Sequence, residues 1–232
     1  MFQRTLGYVD SFVKDLHNEL VTRNLTDIVD IIFVSDHGMS DTTNTKFIYV
    51  DEILGEECFE GIEHIDGYPA MGLRFVPTTN TSHCLGLLLD AADRNPDQFN
   101  VYTHDTMPER YHFSHGDRIA PIYAIPKIGH ILTMEGEGEV VSKGIHGYDN
   151  DELAMHAMFV AHGPFSSVVK VLHQNSKRGL LSRPNKGWHS TSDDTYVMDR
   201  FENVQIYNLV TKLLGIKGAK TNGTTGFWDK YF

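Results

Sequence analysis

Three side chains in this chain of 232 residues have the types and the setting for metal chemistry: Asp36, His37 and His146. Zinc takes imidazole nitrogen and carboxylate oxygen at about 2.0–2.2 Å, so an Asp and two His residues brought together from distant loops form a chemically suitable ligand set. Asp36 and His37 close the apolar run Ile31-Ile32-Phe33-Val34-Ser35 and are followed by Gly38 and Met39. His146 stands between Gly144-Ile145 and Gly147, after the acidic stretch Glu135-Gly136-Glu137-Gly138-Glu139. Each motif alone is also compatible with a turn that satisfies its own hydrogen bonds. Asp41 reads as a turn residue or a partner behind the ligands. His156 and His162, flanking an apolar run, read as hydrogen-bonded structural histidines. His112 and His115 are spaced three apart but fall in a different part of the chain.

The elements that must place these residues are legible from periodicity. Val9, Phe12, Val13, Leu16 and Leu20 recur at helical spacing and predict an amphipathic helix that feeds the strand at Ile31. The Ile31 run is continuous enough for a strand buried on both faces, which puts Asp36-His37 at its carboxyl end, where open α/β sheets gather ligands. His146 is placed by a glycine-flanked loop and not by a helix face.

Both motifs together, in this order, resemble the nucleotide pyrophosphatase/phosphodiesterase family of the alkaline phosphatase superfamily. Ser35-Asp36-His37-Gly38-Met39 is similar to that family's metal motif, and Gly144-Ile145-His146-Gly147-Tyr148-Asp149-Asn150 to its later Gly-x-His-Gly-Tyr-x-Asn motif. Met155 to Pro164 followed by Asn203-Val204-Gln205-Ile206-Tyr207-Asn208-Leu209 resembles its closing strand and helix. The resemblance covers nearly the whole chain. It implies an alkaline-phosphatase-like α/β sheet flanked by helices, incomplete at the amino-terminal side, with an inserted small α+β lobe.

For the site, the resemblance implies two zinc ions, with Asp36 and His37 on one and His146 on the other, and Tyr148 and Asn150 fixing the loop or orienting the imidazole. It implies hydrolysis of phosphodiester or pyrophosphate bonds in nucleotides by a threonine nucleophile. That threonine, an aspartate and a further Asp/His pair belong to a segment that does not precede Phe2 here, so the chain is expected to be the carboxy-terminal part of a catalytic domain. Catalytic zinc usually keeps three protein ligands, and two per ion predicts weak zinc binding and no turnover by this chain alone. A catalytically inactive remnant or interaction module is the competing expectation. A phosphomonoesterase, phosphonate or sulfate ester hydrolase of the same superfamily is a third.

A formal charge of −11 argues against a nucleic-acid duplex as partner, since such a surface clusters Lys and Arg against phosphates. Small phosphate esters remain compatible when bound cations supply the positive charge. With 41% hydrophobic residues the chain can bury a sizeable core. Cys58 and Cys84 either form one bridge or stay as two buried thiols. Sequons at Asn24, Asn80 and Asn222 favour a secretory route, and the resemblance implies an extracellular or membrane-anchored protein. No apolar run reaches the roughly 18 residues of a membrane span, so an anchor would have to come from a missing amino-terminal segment.

Along the chain we read residues 1–66 as a core section with the Asp-His motif and 67–135 as the inserted lobe. Residues 136–217 return to the core with the Gly-x-His-Gly-Tyr motif and the last helix, and 218–232 form a surface tail. Within the lobe, extended residues 71–75, a helix near 85–92 and strands near 99–103, 119–125 and 130–133 are expected. Residues 155–161 should form a buried strand. A helix with Ile206, Leu209, Val210 and Leu213 on one face should be capped by Gly215. The polar segment 175–194, with Lys177, Arg178, Arg183 and Lys186, reads as a solvated loop.

Overall fold

The apolar and polar periods translate into a mixed α/β fold of short strands. A computed structural model describes residues 2–116, 118–136, 142–177 and 196–232. Its elements run α1 (Phe2–Thr22), β1 (Ile31–Val34), β2 (Ser40–Asp41), β3 (Lys46–Tyr49), α2 (Val50–Glu60), β4 (Ile62–Asp66), β5 (Met71–Phe75), α3 (Thr81–Arg94), β6 (Phe99–Thr103), β7 (Ile122–Pro126), β8 (His130–Thr133), β9 (Gly144–Ile145), β10 (Phe159–His162), α4 (Pro164–Lys177) and α5 (Gln205–Leu213). Glu137 to Glu139, the expected return to the core at Val141, and Arg178, Arg183 and Lys186 lie outside the described residues. The chain divides into two compact units, Met1–Val34 with Phe159–Phe232, and Ser35–Met158.

In the first unit, β1 pairs antiparallel with β10, from Ile31 opposite His162 to Val34 opposite Phe159. The run at Ile31, expected to be buried on both faces, is only partly covered, with Val34 48% exposed. Among the described residues it has one pairing partner, so one side of the strand is left unpaired. The predicted helix face of α1 is likewise graded: Val13, Leu16 and Leu20 are half-buried, while Val9 and Phe12 are exposed.

The core of this unit gathers Phe165, Val169, Leu209, Trp228 and Tyr231. Residues 218–232 therefore are not all surface tail: Phe227–Tyr231 form a 3-10 turn, and Trp228 is 2% exposed. The reason is that an indole buries a large apolar area once its N–H is satisfied, and Trp228 Nε1 donates to the Gln205 carbonyl at 2.7 Å. Gly215 takes φ +62° after α5, the left-handed cap expected of it. The Asp30 carboxylate accepts from the Phe165 N–H at 2.8 Å in the first turn of α4. His162, expected as a hydrogen-bonded structural histidine, is instead exposed and meets the His17 ring edge-on at 4.9 Å.

The second unit carries a four-stranded antiparallel sheet in the order β4-β5-β7-β6, a parallel pair β3-β8 and a two-residue pair β2-β9. β4 lies within residues 1–66 of the sequence division, yet it is an edge strand of this sheet. Asn80 explains why α3 starts at Thr81, four residues before the expected helix: its side chain accepts from the His83 N–H at 3.2 Å. Cys58 of α2 and Cys84 of α3 form a disulfide inside the main core, beside Leu54, Leu73, Leu88 and Phe99. Of the two cysteine alternatives, the bridge is the one adopted.

The expected strand over residues 155–161 is shorter. Leu153–Met155 form a 3-10 turn, and pairing starts at Phe159. The loop after β1 claims the backbone in between. Ser35 N–H donates to the Met158 carbonyl at 3.1 Å, Met158 N–H to Ser35 Oγ at 2.8 Å, and Gly38 N–H to the Met155 carbonyl at 2.9 Å.

Candidate functional site

The two candidate loops are joined by backbone. Ser40 pairs with Ile145 and Asp41 with Gly144, so the ladder begins three residues after His37 and ends one residue before His146. Glycines allow this approach. A Cβ on Gly38 would lie 2.1 Å from the Ala154 carbonyl oxygen, and one on Gly144 would lie 2.7 Å from Met39 Cγ. Gly147 has φ +111°, and a side chain there would meet Pro69 Cδ at 2.9 Å. Asp41, expected as a turn residue, does close a turn by accepting from the Thr43 N–H at 2.8 Å, and its hydrogen bonds with Thr43 lower its carboxyl below the usual range.

The ladder brings the three predicted residues together. The His37 and His146 rings stack with centroids 3.6 Å apart and planes at 19°. Asp36 Oδ2 lies 3.3 Å from His37 Nε2. His37 Nδ1 lies 2.8 Å from the Gly38 carbonyl oxygen, which only accepts, so Nδ1 carries a hydrogen. With Nδ1 as the donor, Nε2 turns its lone pair toward the Asp36 carboxylate, a pair of donor atoms that suits a cation. Among the described residues, no group of three or more His, Cys, Asp or Glu side chains is arranged to hold a metal ion. His112 ends the 3-10 turn Glu109–Tyr111 with φ +48° and, like His115, joins no such group.

The residues flanking His146 are anchored on both sides. Tyr148 is 7% exposed in a cluster with Ile131, Ile145 and Met155, and its hydroxyl donates to the His130 carbonyl at 2.9 Å. Burial pushes its phenol up to about 12. Asn150 Oδ1 accepts from Arg110 Nη1 at 2.9 Å, while the same guanidinium forks onto Asp149, with Nη1–Oδ1 at 2.8 Å and Nη2 to Oδ2. The Arg110 hydrogen bond holds the Asp149 carboxyl down at about 2, and its bond to Asp149 raises Arg110 in turn. Tyr111 completes the lock: Arg110 Nη2 donates to its hydroxyl at 3.0 Å and the guanidinium sits 4.2 Å from its ring centre.

Arg110, Asp149 and Tyr111 are residues that sequence reasoning missed. Arg110 lies 39 residues before Asp149 in an ordinary polar turn, with no spacing to link them. The motif position of Asp149, between Tyr148 and Asn150, was the one available signal.

Beside His146 opens a pocket of about 340 Å³, ringed by Tyr68, Met107, Phe113, Tyr123 and Tyr148. All of these residues, and the three candidate ligands, belong to Ser35–Met158.

The sequence profile of type I phosphodiesterase / nucleotide pyrophosphatase matches residues 2–149. The chain belongs to this family. It is 29% identical, over 93% of its length, to an uncharacterised pyrophosphatase/phosphodiesterase of Schizosaccharomyces pombe, of which it covers 40%. Against the bis(5'-adenosyl)-triphosphatase of Xenopus laevis it is 29% identical over 94% of its length, again covering 40%. Human ectonucleotide pyrophosphatase/phosphodiesterase family member 1 shares 31% identity over 96% of this chain and 22% of that protein. Among solved structures, murine ectonucleotide pyrophosphatase/phosphodiesterase 5, an inactive threonine-to-alanine variant in complex with AMP, aligns with a TM-score of 0.69 and 26% identity. That match covers 95% of this chain and 49% of the murine one. The chain thus spans 40% or less of these three curated relatives and about half of the solved one. The alkaline-phosphatase-like α/β fold implied by the motifs is the fold shared with the murine phosphodiesterase.

Proposed function

We propose that this phosphodiesterase-family chain serves metal-dependent hydrolysis of phosphodiester or pyrophosphate bonds in nucleotides, with Asp36 and His37 holding one zinc ion and His146 a second. One observation carries the reading. The His37 and His146 rings are nearly parallel at 3.6 Å, and an imidazole lone pair lies in its ring plane, so two stacked rings do not converge on one ion. They suit two ions side by side, as in two-metal sites with spacings of about 3.5–4 Å. The donor chemistry fits as well: His37 Nε2 and the Asp36 carboxylate are acceptors turned toward each other.

When bound, zinc supplies Lewis acidity that neutralises charge on the phosphoryl oxygens. This chain's residues hold the frame for that chemistry. The Gly38 carbonyl fixes the His37 tautomer, the β2-β9 ladder sets the distance between the two histidines, and Tyr148 with Asn150 pins the His146 loop. The nucleophile in this reading is a threonine from outside the 232 residues, supported by the murine relative that a threonine-to-alanine change leaves inactive. The nucleotide class of substrate is supported by that relative's AMP complex and by the activity named for the Xenopus protein. The disulfide, the exposed Asn24, Asn80 and Asn222, and the ectonucleotide name of the human relative support a secretory placement. No described helix is long and apolar enough to cross a membrane.

The test joins this chain to the family's threonine-bearing segment and measures zinc content and hydrolysis of a p-nitrophenyl nucleotide ester. Asp36→Asn and His37→Ala should each remove one zinc equivalent, His146→Ala the other, and all three should abolish turnover. Unaltered turnover by these variants would refute the assignment. A second reading, an inactive interaction module, is favoured by the two-ligand limit per ion, since catalytic zinc usually keeps three protein ligands. It would stand if the joined protein bound no zinc.

A further inference from the structure

Two exposed methionines flank the Asp36–His37 loop. Among the described residues Met71, Met107, Met134 and Met155 are buried and Met198 packs against the Trp228 core, whereas Met39 is 55% exposed and Met158 54%. Met158 exchanges two hydrogen bonds with Ser35: its N–H donates to Ser35 Oγ at 2.8 Å and its carbonyl accepts from the Ser35 N–H at 3.1 Å. Met39 directly follows Gly38, so the two residues bracket Ser35-Asp36-His37-Gly38. Met39 also reaches the other ligand loop. A Cβ on Gly144 would lie 2.7 Å from its Cγ and 3.2 Å from its Sδ, so the thioether lies across the Gly144 backbone, two residues before His146.

We propose that Met39 is a peroxide-oxidation site whose sulfoxide uncouples the Asp36–His37 loop from the His146 loop. The Sδ lone pair attacks one oxygen of hydrogen peroxide and the O–O bond breaks. The proton on the transferred oxygen passes to the departing hydroxide, which leaves as water; sulfur is oxidised by two electrons and peroxide is reduced by them. Exposure sets which thioethers react, and the product replaces a flexible apolar side chain with a polar one. The thioether rests on Gly144 so closely that a methyl group there would clash. The new oxygen demands hydration, so the side chain must lift off the glycine to reach water. That strips the apolar cover from the Ser40–Ile145 and Asp41–Gly144 pairs, which hold the His37 and His146 rings in one stack. The consequence for zinc rests on the division of ligands proposed above, whereas the loosening of the two loops does not.

The test uses the full 232-residue chain without metal, with 13C-labelled methionine methyl groups and histidine Cε1 atoms, under limiting hydrogen peroxide. The Met39 and Met158 methyl resonances should convert to sulfoxide positions well before that of Met71, which is 3% exposed in the core. As Met39 converts, the His37 and His146 Cε1 resonances should both move, because each ring loses the ring current of the other. Met39→Leu should hold both histidine resonances through the same treatment, although Met158 still oxidises. Met158→Leu should give no such protection, and Met39→Gln, a polar side chain of similar length, should move both resonances without oxidant. A Met39 that oxidises no faster than Met71, histidine resonances that ignore its sulfoxide, or equal protection by Met158→Leu overturns the proposal. In the joined protein, oxidation should weaken zinc binding about tenfold and spare Met39→Leu. Failure of the zinc reading appears separately, as zinc equivalents missing before any oxidation, and leaves the histidine response of the metal-free chain intact.

Discussion

Arg110 makes a sharp prediction because its partners can be removed one at a time. Its guanidinium forks onto Asp149 and also reaches Asn150, one and two residues beyond Tyr148. The fall of the Asp149 carboxyl from its ordinary 3.8 to about 2 sets a ceiling of roughly 2.5 kcal/mol at ~1.36 kcal/mol per pH unit. The Arg110 side chain is 42% exposed, and solvent screening reduces the net coupling to about 0.5–1 kcal/mol. A double-mutant cycle with Arg110→Met and Asp149→Asn, measured by urea unfolding followed through Ser35–Met158, should return a coupling of that size at pH 7. The Asp149 carboxyl is lower folded than unfolded, so its contribution is complete above about pH 4 and is lost as the pH falls toward 2. The destabilisation caused by Arg110→Met should shrink over that window in the wild-type background, and in the Asp149→Asn background it should lack that pH dependence. A cycle that closes to zero at pH 7, or a coupling that persists unchanged at pH 2, would show that the fork does not hold the loop.

Other outcomes follow from the packing. Gly38→Ala places a Cβ 2.1 Å from the Ala154 carbonyl oxygen and should cost about 1–3 kcal/mol in overpacking, with zinc binding of the joined protein lost along with stability. Trp228→Ala should destabilise Met1–Val34 with Phe159–Phe232 by ~3–5 kcal/mol, seen as a lower urea midpoint for this unit; an unchanged midpoint would refute the role of the indole. Reduction of Cys58–Cys84 opens a loop of 26 residues and should lower the stability of the β4-β5-β7-β6 sheet unit by about 3 kcal/mol. A denaturation midpoint that does not respond to dithiothreitol would refute that figure.

How much was legible in the sequence differs by element. Helix α3, strands β6, β8 and β5, and the Gly215 cap follow from local periods and a left-handed glycine, so they match closely. The short strand β10 departs because its predicted amino-terminal half is drawn into a 3-10 turn by Gly38 and Ser35, partners more than a hundred residues away in sequence. Trp228 departs for a similar reason: a polar, glycine-containing stretch reads as tail until its indole finds the Gln205 carbonyl and the aromatic core around it.

For the site, side-chain type and glycine spacing mark Asp36, His37 and His146 only as candidates, each motif alone being compatible with a simple turn; the resemblance of the two motifs together to the family's is what proposes them as ligands. Their convergence was not local. It depends on a two-residue ladder that joins residues about a hundred apart, on three glycines that admit backbone or side chains where a Cβ would clash, and on the stacking of two rings. Arg110 and the aromatic pocket belong wholly to the tertiary structure, since neither a guanidinium fork nor a ring-lined cavity leaves a period in the chain; both exist only once distant turns are brought to the same loop.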